Sequence, residues 1–178
     1  MATTTARRSA ANGFSLLELV LVIALIGVLI AVAANRLLPY VSQAEKVAVM
    51  RLEGQLRNVL LMEAALLIAR GQSARLAGLD QANPMSFLLE PPQTYLGELR
   101  APTRALLPRR SWHFDTSSRL LVYRAGRGFE GADRAAVIQE YSVSLRFDDR
   151  DGNALFTPGT DEFHGVRLEK VNASQNGV

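Results

Sequence analysis

One carboxylate stands in a stretch that otherwise carries no charge. In GFSLLELVLVIALIGVLIAVAANR, residues 14–35 hold a single ionisable side chain, Glu18. An acid inside an apolar span costs on the order of 2.5–3.5 kcal/mol at a helix centre, so it requires a partner or an interface. Its own helix offers none, because the i+3 and i+4 positions are Leu21 and Val22. Cleavage between Gly13 and Phe14 would create an α-amino cation at the same end, available to the Glu18 of a neighbouring copy. Such a pair would fix register between subunits, as buried polar residues do in coiled coils. A helix N-terminus also favours a nearby carboxylate.

Two other groups of residues have chemical potential. Asp149, Asp151 and Asn153 alternate in FDDRDGNALFTPGTDEFHG, a spacing that suits calcium. An EF-hand would need glycine where Ala154 stands and glutamate where Thr160 stands, and Asx-rich loops commonly hydrogen-bond their own backbone instead. The two histidines, His113 and His164, have no Ser/His/Asp, HExxH or P-loop pattern around them. His113 is expected to alternate outward on a strand and His164 to lie in a turn. Nothing in the sequence assigns an enzymatic reaction or a catalytic residue.

These residues need elements to hold them. Residues 14–35 as a helix rise roughly 33 Å, close to the roughly 30 Å of a bilayer's hydrocarbon core. Arg7 and Arg8 precede the span, which puts that end in the cytoplasm and the chain after Arg36 on the far side. A cleaved secretory signal fits poorly, since the apolar stretch is long and runs into a helical pattern without a break. With no cysteine, disulfides and thiolate metal sites are excluded. The net charge of +3 includes Arg7 and Arg8; from Phe14 onward, 18 basic residues face 17 acidic ones. A generally basic nucleic-acid-binding surface is not indicated, although Arg100, Arg104, Arg109, Arg110, Arg119, Arg124, Arg127 and Arg134 make the middle of the head basic. Interleaved Asp115, Glu130 and Asp133 favour a solvated or subunit-contact face there.

After Pro39 the pattern becomes amphipathic: Leu52, Leu56, Val59, Leu60, Leu66 and Leu67 recur at helical spacing, and the helix is expected to end at Arg70 before Gly71. A proline-bearing stretch, 72–108, reads as a linker with one short helix, Met85 to Glu90, capped by Asn83. Strand signals follow: Trp112 and Phe114 with Leu120 to Tyr123 as a hairpin, a longer strand through Val137–Phe147, and a last one from Val166 to Val171. The expected fold is α+β, one long helix packed on roughly four antiparallel strands. The organisation reads as 1–13 leader, 14–38 apolar helix, 39–71 amphipathic half of the same helix and 72–178 head.

Gly13, Phe14, Ser15, Leu16, Leu17 and Glu18 with the apolar run resemble the cleavage and methylation motif of the type IV pilin and pseudopilin superfamily. The resemblance implies a pilin-like α/β-roll and processing by a prepilin peptidase that cuts after Gly13 and methylates Phe14. It further implies that Glu18 pairs with an adjacent subunit's N-terminus. Partners would be other pilin or pseudopilin subunits, the assembly platform and the inner membrane, in a filament serving type II secretion or pilus biogenesis. Calcium in a C-terminal loop, here Asp149, Asp151 and Asn153, is a property of the family's major pseudopilins. Asn35 stands where the family often has proline, the nearest being Pro39. NPMSFLLEPPQTYLGEL, SWHFD and LVYR are also similar to some pseudopilin-like and mannose-sensitive-haemagglutinin-type pilins. The absence of a cysteine-bounded C-terminal loop favours a pseudopilin or minor pilin over a major fibre subunit.

Overall fold

The computed structural model describes residues 15–127, 129 and 137–171; Gly13, Phe14, Glu130, Asp133 and Arg134 lie outside them. Helix α1 runs Leu16–Ala69 and is continuous through Pro39. The chain divides into two compact units, Met1–Tyr40 and Val41–Val178. In the first, every described side chain from Ser15 to Ala34 is exposed, and Leu16–Ala34 is long and apolar enough to cross a membrane. Ser15 starts the helix, its Oγ accepting the Glu18 N–H at 3.2 Å. At the other end Gly71, with φ +68°, closes a Schellman motif. Gln72 N–H donates to Leu67 O and Gly71 N–H to Ile68 O.

The second unit sets the later part of α1 against a five-stranded sheet ordered β1-β2-β3-β4-β5. These strands are Tyr95–Leu99, Ser111–Asp115, Leu120–Arg124, Ile138–Asp148 and Glu162–Val171. All neighbours are antiparallel except β1 and β2, which are parallel. The fold is therefore α+β as expected, with one strand more and one parallel pair. The prolines around YLGEL predict linker, yet an edge strand tolerates prolines just before it, since only one of its sides must pair.

The buried stripe of the helix is Val49, Leu52, Leu56, Leu60, Ala64 and Leu67, spaced by three or four residues. It packs on Trp112 and Phe114, Leu121 and Tyr123, Tyr141 and Val143, and Val166 and Leu168, two from each of four successive strands. Three expectations about this region change. Leu66 lies exposed and Val59 only half-buried, since both fall to the sides of that stripe. The stretch 72–94 is not bare linker: 3-10 turns at Ser73–Leu79 and Pro84–Phe87 bury Leu76, Leu79 and Met85 in the same core. Asn83 caps the second turn as expected, accepting from Met85 N–H at 3.1 Å, but the turn ends at Phe87 rather than Glu90.

The β2–β3 hairpin is held by Asp115. One carboxylate oxygen, Oδ1, accepts Ala101 N–H at 3.1 Å, Ser117 N–H at 3.0 Å and the Ser117 hydroxyl at 2.6 Å. Burial works to raise its pKa, but the hydrogen bonds from Ser117, Ala101 and Ser118 together outweigh it and bring the value down to about 2. The stabilisation is full above the unfolded carboxyl's pKa near 4 and is lost as pH falls through about 2. Asp115→Asn should therefore lower stability at pH 7 by roughly 1–3 kcal/mol. Thermal unfolding of the full chain in detergent should show that gap closing between about pH 4 and pH 2; a gap constant over that range would contradict the assignment.

Candidate functional site

Three places in the molecule gather polar chemistry, and the N-terminal helix is the first. Glu18 lies in the first turn of α1, fully within an exposed apolar surface, with Leu21 and Val22 one turn on. A carboxylate there is favoured by the helix N-terminus and carries no ion pair among the described residues. Farther along, α1 presents Val47, Met50, Leu61 and Ile68 to solvent, with Gly54, Asn58 and Ala65 on the same line. That line is opposite the buried stripe, so the helix is apolar on two faces there.

The second place is inside the head, and sequence reasoning missed it. Glu45, one turn before Val49, is almost fully buried. Its Oε1 accepts the Tyr123 hydroxyl at 2.8 Å and Gly126 N–H at 2.6 Å, while Oε2 accepts from Arg110 Nε at 2.9 Å. A buried carboxylate needs this much compensation, because removing one partner leaves an unpaired charge. Burial first, then the hydrogen bond to Glu45, pushes the Tyr123 hydroxyl well above the ordinary tyrosine range. Two turns on, Tyr141 Oη donates to Glu53 at 2.6 Å, a second hydroxyl–carboxylate tie between sheet and helix. Glu45 stands four residues before Val49 and so falls in line with the apolar stripe, while Glu53 flanks it beside Leu52.

Beside Glu45 a groove of about 780 Å³ runs between α1 and the start of β1 and β2, lined by Val41, Ala48, Arg51, Pro92, Thr94 and Trp112 among others. Among the described residues, no metal-ligating cluster opens into it. The expected basic face is partly neutralised: Arg110 pairs with Glu45, and Arg104 pairs with Glu140.

The third place is the β4–β5 loop. Oxygens of Asp149, Asp151 and Asp161 lie within 4.8 Å of one another. Asn153 stands beside them: its Oδ1 accepts Leu155 N–H at 2.6 Å and its amide donates to Asp151 and Thr157. The carboxylates hold the loop's own N–H groups: Gly152 and Ala154 on Asp149, Asn153 on Asp151, and Arg150 and Thr157 on Asp161. Hydrogen bonding, from Ala154 first, keeps the exposed Asp149 carboxyl below its ordinary range. This is the pattern of self-capped Asx turns. Phe156 anchors the loop against Phe147 and Phe163.

The histidines correct two further expectations. His164 is in β5, not a turn, and lies 3.1 Å from Asp148. His113 does alternate away from the helix-covered face, but it is 0% exposed rather than outward in solvent.

Gly126 offers a direct test of the Glu45 cluster. A Cβ there would stand 2.5 Å from Glu45 Oε2 and 2.7 Å from Arg110 Nε. Gly126→Ala should cost about 1–3 kcal/mol by displacing the pair. Gly54→Ala, in helix with nothing within 4 Å, should instead gain roughly 0.5–1 kcal/mol. Denaturant unfolding of both variants checks the opposite signs; a neutral Gly126→Ala would mean the carboxylate is not held as described.

Residues 8–34 match the family model described as the prokaryotic N-terminal methylation motif. No curated protein and no solved structure matches the chain. The proteins that carry this motif are structural rather than catalytic, and the single N-terminal apolar helix fits a single-pass inner-membrane anchor. The chain thus opens with a prepilin-type N-terminal methylation motif on an apolar helix, consistent with the type IV pilin-like superfamily.

Proposed function

We propose that this chain is a pilin-like structural subunit, a pseudopilin or minor pilin. The observation that carries the proposal is the methylation motif at 8–34 running into an apolar helix with one carboxylate in its first turn. A prepilin peptidase removes 1–13 by cutting between Gly13 and Phe14 and methylates the new amine of Phe14. The retained helix, residues 14–38, holds the subunit in the inner membrane with the head, residues 72–178, in the periplasm. Residues 39–71 continue the same helix and brace the head.

Assembly follows from the same residues. Glu18 pairs with the N-terminal amine of an adjacent subunit, and burial of apolar helix surface between copies supplies the attraction. The outer line of Val47, Met50, Leu61 and Ile68 extends the surface available for that contact beyond the membrane segment. The filament so formed, raised from an assembly platform, serves type II secretion or pilus biogenesis. A membrane-anchored periplasmic binding module that never polymerises is the second reading, favoured by the groove beside Glu45.

Intact-mass and N-terminal analysis of protein from a membrane with active prepilin peptidase should find a chain beginning at N-methylated Phe14. Retention of Met1 to Gly13 would sink the filament reading. Glu18→Ala should abolish filament incorporation while leaving the folded head intact, as judged by crosslinking and circular dichroism. Wild-type incorporation of that variant would overturn the Glu18 pairing, and failure of the unsubstituted chain to incorporate at all would support the non-polymerising module.

A further inference from the structure

The sheet has a second buried face, away from α1. There His113 on β2 pairs in register with Val122 on β3, which pairs with Glu140 on β4. His113 is 0% exposed, Val122 1% and Glu140 9%. None of the three belongs to the core under the helix. The connection between β1 and β2, residues 100–110, reaches onto this row: Arg104, in its 3-10 turn Arg104–Leu106, forms an ion pair with Glu140. At its ends the connection is tied by Ala101 N–H to Asp115 and by the Ser111 hydroxyl to Pro108 O. Arg104 is the described side chain that fixes its middle to the sheet.

Neither imidazole nitrogen of His113 has a hydrogen-bond partner among the described residues. A neutral imidazole tolerates that poorly, and an imidazolium far worse, since it would present two unmatched N–H donors and a charge. Among the described residues, the charged and titratable groups around it are few. Arg104 approaches from the connection and Asp115 stands two residues along its own strand. Arg124 follows Val122 on β3, and Glu140 lies across on β4. On β1 the Glu98 carboxylate is turned to Asn83 instead.

We propose that the connection 100–110 is an acid-released latch: protonation of His113 breaks the Arg104–Glu140 pair and lifts the connection from the sheet. An imidazolium repels the Arg104 guanidinium and so weakens its pair with Glu140. Lifting the connection lets water reach both imidazole nitrogens. Burial first and the Arg104 charge second already hold the imidazole below its ordinary value, with Asp115 opposing. The open form, with an ordinary imidazole, binds the proton more readily. The closed state is therefore favoured above the ordinary histidine value and loses ground as pH falls below it.

Hydrogen exchange of the full chain in detergent micelles, corrected for the intrinsic pH dependence of exchange, tests this at pH 7.5 and 5.0. Peptides over 100–110 should lose about tenfold protection at the lower pH. Peptides over β4, residues 138–148, should hold theirs. His113→Gln should remove the pH response, and Arg104→Gln should expose 100–110 at both pH values. Equal loss over β4, or an unchanged response in His113→Gln, overturns the latch. If His113→Gln does not fold, Arg104→Gln decides, and wild-type protection of 100–110 at pH 7.5 in that variant overturns it.

Discussion

The head is organised around the burial of one charge. Glu45 sits at the start of the buried stripe of α1 and accepts from β3, from the chain just after β3 and from Arg110 just before β2. The distances of 2.6–2.9 Å are those of charge-assisted hydrogen bonds, roughly twice as strong as neutral ones. Such a site is expensive to desolvate and adds little net stability over an apolar substitute. What it fixes is geometry, because only one rotation and one height of the helix bring a carboxylate to all three donors. The apolar contacts from Val49 to Leu67 would tolerate small slides along the sheet; the carboxylate does not.

Much of this architecture is legible in the residues. The change from continuous apolar sequence to a helical stripe after Pro39 marks where the helix begins to pack, and Gly71 marks its end because only an αL residue closes a Schellman motif readily. Alternation gives β2 and β4, and β3 follows as the short apolar run Leu120 to Tyr123 after a turn. The parallel edge strand β1 was hidden because its five residues follow two prolines and contain a glycine, which read locally as a loop; pairing with β2 is a tertiary effect no local pattern carries. The candidate site at the N-terminus was legible because a lone acid in an apolar run is physically anomalous. Glu45 was not, because an acid flanked by alanine and lysine in a helix looks the same whether it faces water or a tyrosine.

The same limit explains His113. Alternation correctly places it on the face away from α1, but that face is solvent only if nothing covers it. The eleven residues between β1 and β2 return across it and plant Arg104 on Glu140. A covering segment with few apolar anchors, and with Leu106 itself exposed, depends on polar contacts more than the helix does. The two faces of one sheet thus differ in kind. One is closed by a continuous apolar core, the other by a short connection whose middle rests on an ion pair.

The rotation of α1 set by Glu45 has a consequence on the opposite side of the helix. Glu45 and the buried stripe from Val49 to Leu67 occupy one arc, so Val47, Met50, Leu61 and Ile68 are carried to the arc opposite and left in water. Turning the helix by one residue, about 100°, would expose Glu45's partners and move these side chains toward the sheet. The exposed line leaves about half of each of these side chains in water. Its apolar area can be recovered only against another surface, at about 25 cal/mol per Å² removed from water. A buried charge that holds the helix in one rotation also decides which apolar face remains for contact outside the head.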